Sequence, residues 1–191
     1  NGTLTPTPEP TLFEETAVSD DGKWARSRPM PEPRAGMAVA AIGLDVYQFG
    51  GETADGVDGA AYLFDTLQRE WQPIEPKPTA VTDASAAVLF GEIYLAGGRL
   101  ADGTATDVVE AYSPANGRWR AIAPLPEPIK GGLLLTDGGF LYLFGGQDGD
   151  VILTTVYRYD PASDGWSELP VQMATARTAA AGGYLTGKFY V

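Results

Sequence analysis

The chain has 191 residues, 24 of them Gly and 15 Pro, with a formal charge of -12 from 25 acidic and 13 basic side chains. It contains neither Cys nor His, which excludes disulfides, thiolate or imidazole metal ligation, Cys nucleophiles and a Ser-His-Asp triad. The acidic balance disfavours nucleic acid, and a hydrophobic fraction of 44% indicates a folded domain, leaning toward binding and away from most familiar enzymes.

Residues 1–12 open the chain as a Thr/Pro-rich linker, Asn-Gly-Thr-Leu-Thr-Pro-Thr-Pro-Glu-Pro and onward, which cannot form a core and is expected to be extended. The tract reads either as a disordered tail or as a spacer; such spacers often stand outside the membrane in bacterial sensor proteins, an analogy that points to an extracytoplasmic placement, with a cytoplasmic one as the alternative. Asn1-Gly2-Thr3 matches a glycosylation sequon. No apolar run approaches the ~20 residues of a membrane-spanning helix, so direct membrane insertion by this segment is not expected.

From residue 13 onward the text repeats. Trp24, Trp71, Trp119 and Trp166 are spaced 47, 48 and 47 apart. Gly50-Gly51, Gly97-Gly98 and Gly145-Gly146 are spaced 47 and 48. Each pair follows an apolar-aromatic run containing Tyr47, Tyr94 or Tyr142, and a further run at Phe189-Tyr190-Val191 begins another copy. Phe64, Tyr112 and Tyr159 each stand seven residues before a Trp, whereas Ala17 holds that position in the first copy.

The repeats fall at about 13–34, 35–81, 82–129 and 130–176, with a truncated start at 177–191. Each reads as four short strands. The first are expected at 38–42, 84–89, 132–135 and 178–181. The second carry the Tyr and end at the Gly pair. The third cover 62–65, 108–113 and 156–160, and the fourth begin at each Trp. Short runs rich in Val, Tyr and Phe, bounded by Gly, Pro and Asp, are strand text, and no helical period is sustained. Four strands in ~45–50 residues is the arithmetic of a propeller blade, so the expected fold class is all-β, a partial ring of about three to four four-stranded blades.

Gly-Gly after an apolar-aromatic strand, then a Tyr, then a Trp about 20 residues past the pair, resembles the kelch repeat. The resemblance implies a β-propeller that serves as a partner-binding module and, in some members, as an enzyme. An Arg ahead of the innermost strand matches at Arg34 and Arg177, while Val81 and Ile129 hold that position in the other repeats. A propeller closes its ring to remove open edges, so this chain is expected to be the N-terminal part of a larger propeller of six or so blades, with the remaining blades completing it.

Strand alternation puts the 2–3 and 4–1 connections on one face and the tight 1–2 and 3–4 turns on the other. From Trp to the next Gly pair the distance is always 26, but from the second Gly to the next Trp it is 20, 21 and 20. Variation therefore sits with the 2–3 loops, where binding is expected. The candidate ligand-binding residues are Arg34, Arg177, Lys130, Glu52, Arg99, Gln147 and Asp83, a mixed polar ring suited to an anionic or sugar-like ligand. For Arg34 and Arg177 the competing reading is an inter-blade hydrogen bond or ion pair, and for the loop acids a solvated surface. Prolines 29, 31, 33, 76, 78, 124, 126 and 128 stiffen the crossings between blades. The four Trp, the Gly pairs and the three Tyr are assigned structural roles, the Trp in the core.

No catalytic residue, cofactor or metal is expected. Asp148-Gly149-Asp150 offers two carboxylates to calcium but no third at a known spacing. The leading functional expectation is a non-catalytic interaction or sensing module that takes a protein, peptide or glycan through its 2–3 and 4–1 loops. The resemblance also admits a sugar-active enzyme of the sialic-acid mutarotase type, using Arg and carboxylate residues near the axis. A copper oxidase of the same family is disfavoured by the missing His and Cys.

Overall fold

In the computed structural model residues 27–191 are described; the linker at 1–12, Trp24 and the start of the first repeat lie outside them. The first sheet holds β1 (Ala38–Ile42), β2 (Asp45–Phe49), β5 (Ala61–Asp65) and β6 (Glu70–Ile74), with a small hairpin of β3 (Glu52–Thr53) and β4 (Gly56–Val57) in its 2–3 loop. The second holds β7 (Ser85–Leu89), β8 (Glu92–Ala96), β9 (Val109–Ser113) and β10 (Arg118–Ala121). The third holds β11 (Leu133–Thr136), β12 (Leu141–Phe144), β15 (Val156–Asp160) and β16 (Gly165–Glu168), with a second small hairpin of β13 (Gln147–Asp148) and β14 (Val151–Ile152). A two-stranded fourth unit pairs β17 (Gly183–Leu185) with β18 (Lys188–Tyr190).

All pairings within the sheets are antiparallel and sequential, and the innermost strands β1, β7, β11 and β17 adjoin one another in that order. This is the all-β propeller arrangement expected from the repeat. The fourth inner strand departs from expectation: β17 lies at 183–185 instead of 178–181. Residue 179 sits there in the left-handed region, at φ 50°, which ends an extended run before it starts.

The core is layered between blades. Ile93 and Leu95 of β8 pack with Tyr47, Phe49 and Tyr112 toward the first blade. Tyr94 and Ala96 of the same strand pack with Leu141, Leu143 and Tyr159 toward the third. A strand buried on both faces needs no polar alternation, which explains the unbroken Ile93-Tyr94-Leu95-Ala96 run.

Three sets of bonds stitch neighbouring blades at three radii. Nearest the axis, the N–H of Asp83 donates to Gly36 O (2.7 Å), Gly131 to Asp83 O (2.9 Å) and Ala179 to Gly131 O (2.7 Å). All four of these residues are left-handed. At mid-radius, the second Gly of each pair donates to the next blade's lead-in: Gly51 to Val81 O, Gly98 to Ile129 O and Gly146 to Arg177 O, each at 2.8 Å. A side chain on Gly97 would run into Ile129 O, and both glycines of each pair have positive φ, so the pair is required by close approach as well as by conformation.

The outermost stitch sets the described tryptophans at the rim of the core, with Trp119 and Trp166 packed against the buried clusters. Trp71, Trp119 and Trp166 are half-buried on the outer strands. Each leans on the aromatic paired with it: Phe64 at 4.9 Å, Tyr112 at 5.1 Å and Tyr159 at 5.2 Å between centroids. Each indole N–H then donates to a carbonyl ahead of its own blade: Trp71 to Arg28 (3.3 Å), Trp119 to Glu75 (3.0 Å) and Trp166 to Ala123 (3.0 Å). An indole serves here because its body is apolar while its N–H can reach a partner.

Candidate functional site

The residue after each Gly pair is bridged to the lead-in of its own blade. Glu52 exchanges backbone hydrogen bonds with Ala35, Arg99 with Thr82 and Gln147 with Lys130. These bridges set the candidate residues around the axial mouth of the 2–3/4–1 face. A cleft of about 440 Å³ there is lined by Asp83, Ser85, Lys130, Gln147 and Thr178 among others. Below the mouth the walls turn apolar, with Met37, Val39, Ala86, Leu133 and Leu135.

Glu52, Arg99 and Asp83 meet as a cluster across the first two blades. Arg99 Nη2 donates to Glu52 Oε2 (2.7 Å) and its Nε to Asp83 Oδ2 (3.1 Å). Those bonds, the Glu52 bond foremost, raise the Arg99 pKa above its ordinary value. Asp83 holds a left-handed backbone at φ 57° where the first and third blades have Gly36 and Gly131. Asp tolerates that region better than most residues, so one side chain serves both the axial ladder and the ion cluster.

Arg34 is not available to a ligand. Its side chain is fully buried, and it donates to Asp58 Oδ2 (2.8 Å), Glu32 Oε1 (2.7 Å) and Gly50 O (3.3 Å). The Asp58 bond, ahead of burial that opposes it, drives the guanidinium pKa upward and holds the Asp58 carboxyl below the usual carboxylate range. Arg177 is exposed, donates to Val191 O (2.8 Å) and does not line the cleft. Of the seven candidates, then, Asp83, Lys130 and Gln147 line the mouth, Glu52 and Arg99 brace it, and the two arginines of the repeat pattern stand apart.

Two features escape a reading by single residues. Lys77 and Glu110 form a salt bridge buried between the first two blades, with Thr79 Oγ1 donating to Glu110 Oε1 (2.9 Å). Burial pulls the Lys77 pKa below its ordinary value, and Glu110 offsets part of that. The signal was in the register: Met30, Leu125 and Met173 hold the position of Lys77 in the other repeats. The third blade has Tyr157 donating to Glu127 (2.7 Å) where the second has Glu110 and Thr79, so donor and acceptor have changed places. The other feature is the β13–β14 arm, whose Val151 and Ile152 are 63% and 45% exposed. At its tip Asp148 and Asp150 flank Gly149, and among the described residues no third acid joins them in a metal-holding group.

Among the described residues no helix is long and apolar enough to cross a membrane. The family described as the KLHDC2/KLHL20/DRC7 Kelch-repeats domain matches residues 18–190. Kelch-like protein 23 of Homo sapiens is 31% identical over 158 residues, covering 81% of this chain and 27% of that protein. Beta-scruin of Limulus polyphemus is 26% identical over 166 residues, covering 79% of this chain and 18% of that protein. The chain thus spans about a quarter or less of the length of these relatives. They are animal proteins and lend no support to a bacterial source. The structure titled "Structure of YjhT" superposes with a TM-score of 0.78 at 16% identity, over 90% of this chain and 63% of that one, which is a likeness of fold.

Proposed function

The chain belongs to the kelch-repeat family, and from that premise we propose that it is a protein-interaction module whose 2–3/4–1 face receives a protein or peptide partner. One observation carries the reading. Glu52, Arg99 and Gln147 occupy the same bridged position in three successive blades, yet they present a carboxylate, a guanidinium and an amide. The frame repeats while the chemistry it displays does not, as in a surface shaped for one partner.

The test is a peptide selected from a displayed library and titrated against variants of the chain. Lys130→Ala combined with Gln147→Ala is expected to weaken binding about tenfold or more, the size of a hot-spot loss. Leu67→Ala and Asn116→Ala, on turns of the opposite face, are expected to leave it within about twofold. The reverse pattern would overturn the reading.

A sugar-active enzyme is the weaker reading of the same cleft. Such chemistry needs a base and a guanidinium free to meet substrate, but Arg34 is enclosed and Arg99 is held by two carboxylates. With sialic acid, anomer interconversion followed by NMR is expected to run at the buffer rate. Acceleration by the chain would restore the catalytic reading.

A further inference from the structure

We propose that the β13–β14 arm is the anchor point for a basic peptide segment carrying an apolar side chain. The inference rests on the interaction reading above and names the chemistry of its partner.

The arm breaks the burial rule in a specific place. Asp148 pairs with Val151 and Gln147 with Ile152, so the hairpin presents two β-branched aliphatic side chains beside its tip. Val151 is 63% exposed and Ile152 45%. In the first blade the equivalent strand β4 carries Gly56 and Val57, both half-buried. Val151 thus adds an aliphatic side chain where the first blade has Gly56, beside Ile152 in the place of Val57. An exposed apolar patch rimmed by polar residues marks an interaction site.

Charge selects the occupant. The three 2–3 segments, 52–60, 99–108 and 147–155, hold seven carboxylates and one guanidinium. That guanidinium, on Arg99, is already bonded to Glu52 and Asp83, and Asp58 is held by Arg34, so the charge on offer to a partner is that of the tip aspartates. Exposed aspartates stand at every tip: Asp55, Asp102, Asp148 and Asp150. Two cations lie close by: Lys130 lines the axial cleft, and Arg177, bonded to Leu153 O through its N–H, turns its guanidinium to Val191 O, so the cationic side chains of a bound segment settle at the acidic tips while the rest of it reaches the axial mouth. An apolar pair ringed by carboxylates fits a peptide in which an aliphatic or aromatic residue is flanked by Lys or Arg. An acidic peptide would meet like charge at each tip.

The probe is a displayed library of random peptides selected on the intact chain. The expected enrichment is an apolar residue flanked by Lys or Arg, with affinity falling about tenfold between low and physiological salt. Val151→Ser combined with Ile152→Ser is expected to weaken the selected peptide about tenfold or more while leaving the melting temperature unchanged, since both side chains are exposed. Asp148→Asn combined with Asp150→Asn keeps the apolar pair, and is expected to flatten the salt dependence. Enrichment of acidic or uncharged peptides, or undiminished binding by the Val151/Ile152 variant, overturns this inference. If those same peptides still weaken on Lys130→Ala with Gln147→Ala, the interaction reading survives it. If neither variant pair affects binding, both fall.

Discussion

Gly43 and Gly97 have nearly the same backbone, φ 62° and 63°, in different surroundings. A side chain on Gly43 would meet open space, whereas one on Gly97 would meet the Ile129 carbonyl. Gly43→Ala therefore reports conformational strain alone, about 1–2 kcal/mol. Gly97→Ala adds a backbone clash and the loss of a seam, and is expected to cost at least about twice as much in chemical denaturation. Equal losses would show that the seam contributes nothing. Asp58 supplies a second residue-scale test. Its folded pKa is lowered from 3.8, chiefly by Arg34, so its stabilisation is present above that ordinary value and lost as pH falls through the depressed one. Glu92, lowered first by its bond from Arg120, adds to the same acid sensitivity. The gap in melting temperature between the parent and Asp58→Asn is expected to be widest near neutral pH and to narrow below about pH 4. A gap that stays constant across the range would refute the assignment.

Among elements, the seam between the first two blades differs from the next because it holds Lys77 and Glu110. Lys77→Met installs the residue type found at Met30 and Met173 but strands a buried carboxylate, at a cost of about 3–5 kcal/mol. Adding Thr79→Glu and Glu110→Tyr rebuilds the Tyr157–Glu127 arrangement of the third blade and is expected to recover most of the loss, read as the urea midpoint. A triple variant no better than the single would show that the blades are not equivalent there. The same element shows what a sequence hides. Strand positions were legible because Trp, Tyr and Gly-Gly recur at fixed spacing, and the structure keeps them within a residue or two in the first three blades. An ion pair at Arg34 was legible as an alternative, but its partner was not, because Asp58 lies 24 residues on, in loop text that does not repeat. The inner strand of the fourth unit was misplaced because the small residues at 178–181 look like a strand when read without their backbone angles. The tryptophans looked like core because periodicity reveals that a residue is required, not how deeply it sits.

For the molecule as a whole, contacts run from each blade to the next, so stability accumulates along a line as in other repeat proteins. The second blade has a described neighbour on both sides, and its strands β8 and β9 are buried nearly throughout. Amide hydrogen exchange is expected to be slowest in β8 and β9. It should be much faster in β17 and β18, where Tyr184, Leu185 and Tyr190 are 42%, 65% and 55% exposed. Uniform protection from β1 to β18 would mean that the blades unfold as one cooperative unit.

Two of the three stitches between blades are made wholly by main-chain atoms, and the third needs only an indole. None of them asks anything of the loop tips. The tip of a 2–3 segment is therefore a cassette: cut inside Glu52 and Asp58, which stay bonded to Arg99 and Arg34, it can be exchanged without touching what aligns the blades. Moving 148–152 into the place of 53–57 should carry the aliphatic arm to a new azimuth and leave the frame intact. A lineage built this way can change what it recognises by trading loops, with its architecture held constant by bonds that side-chain drift does not reach.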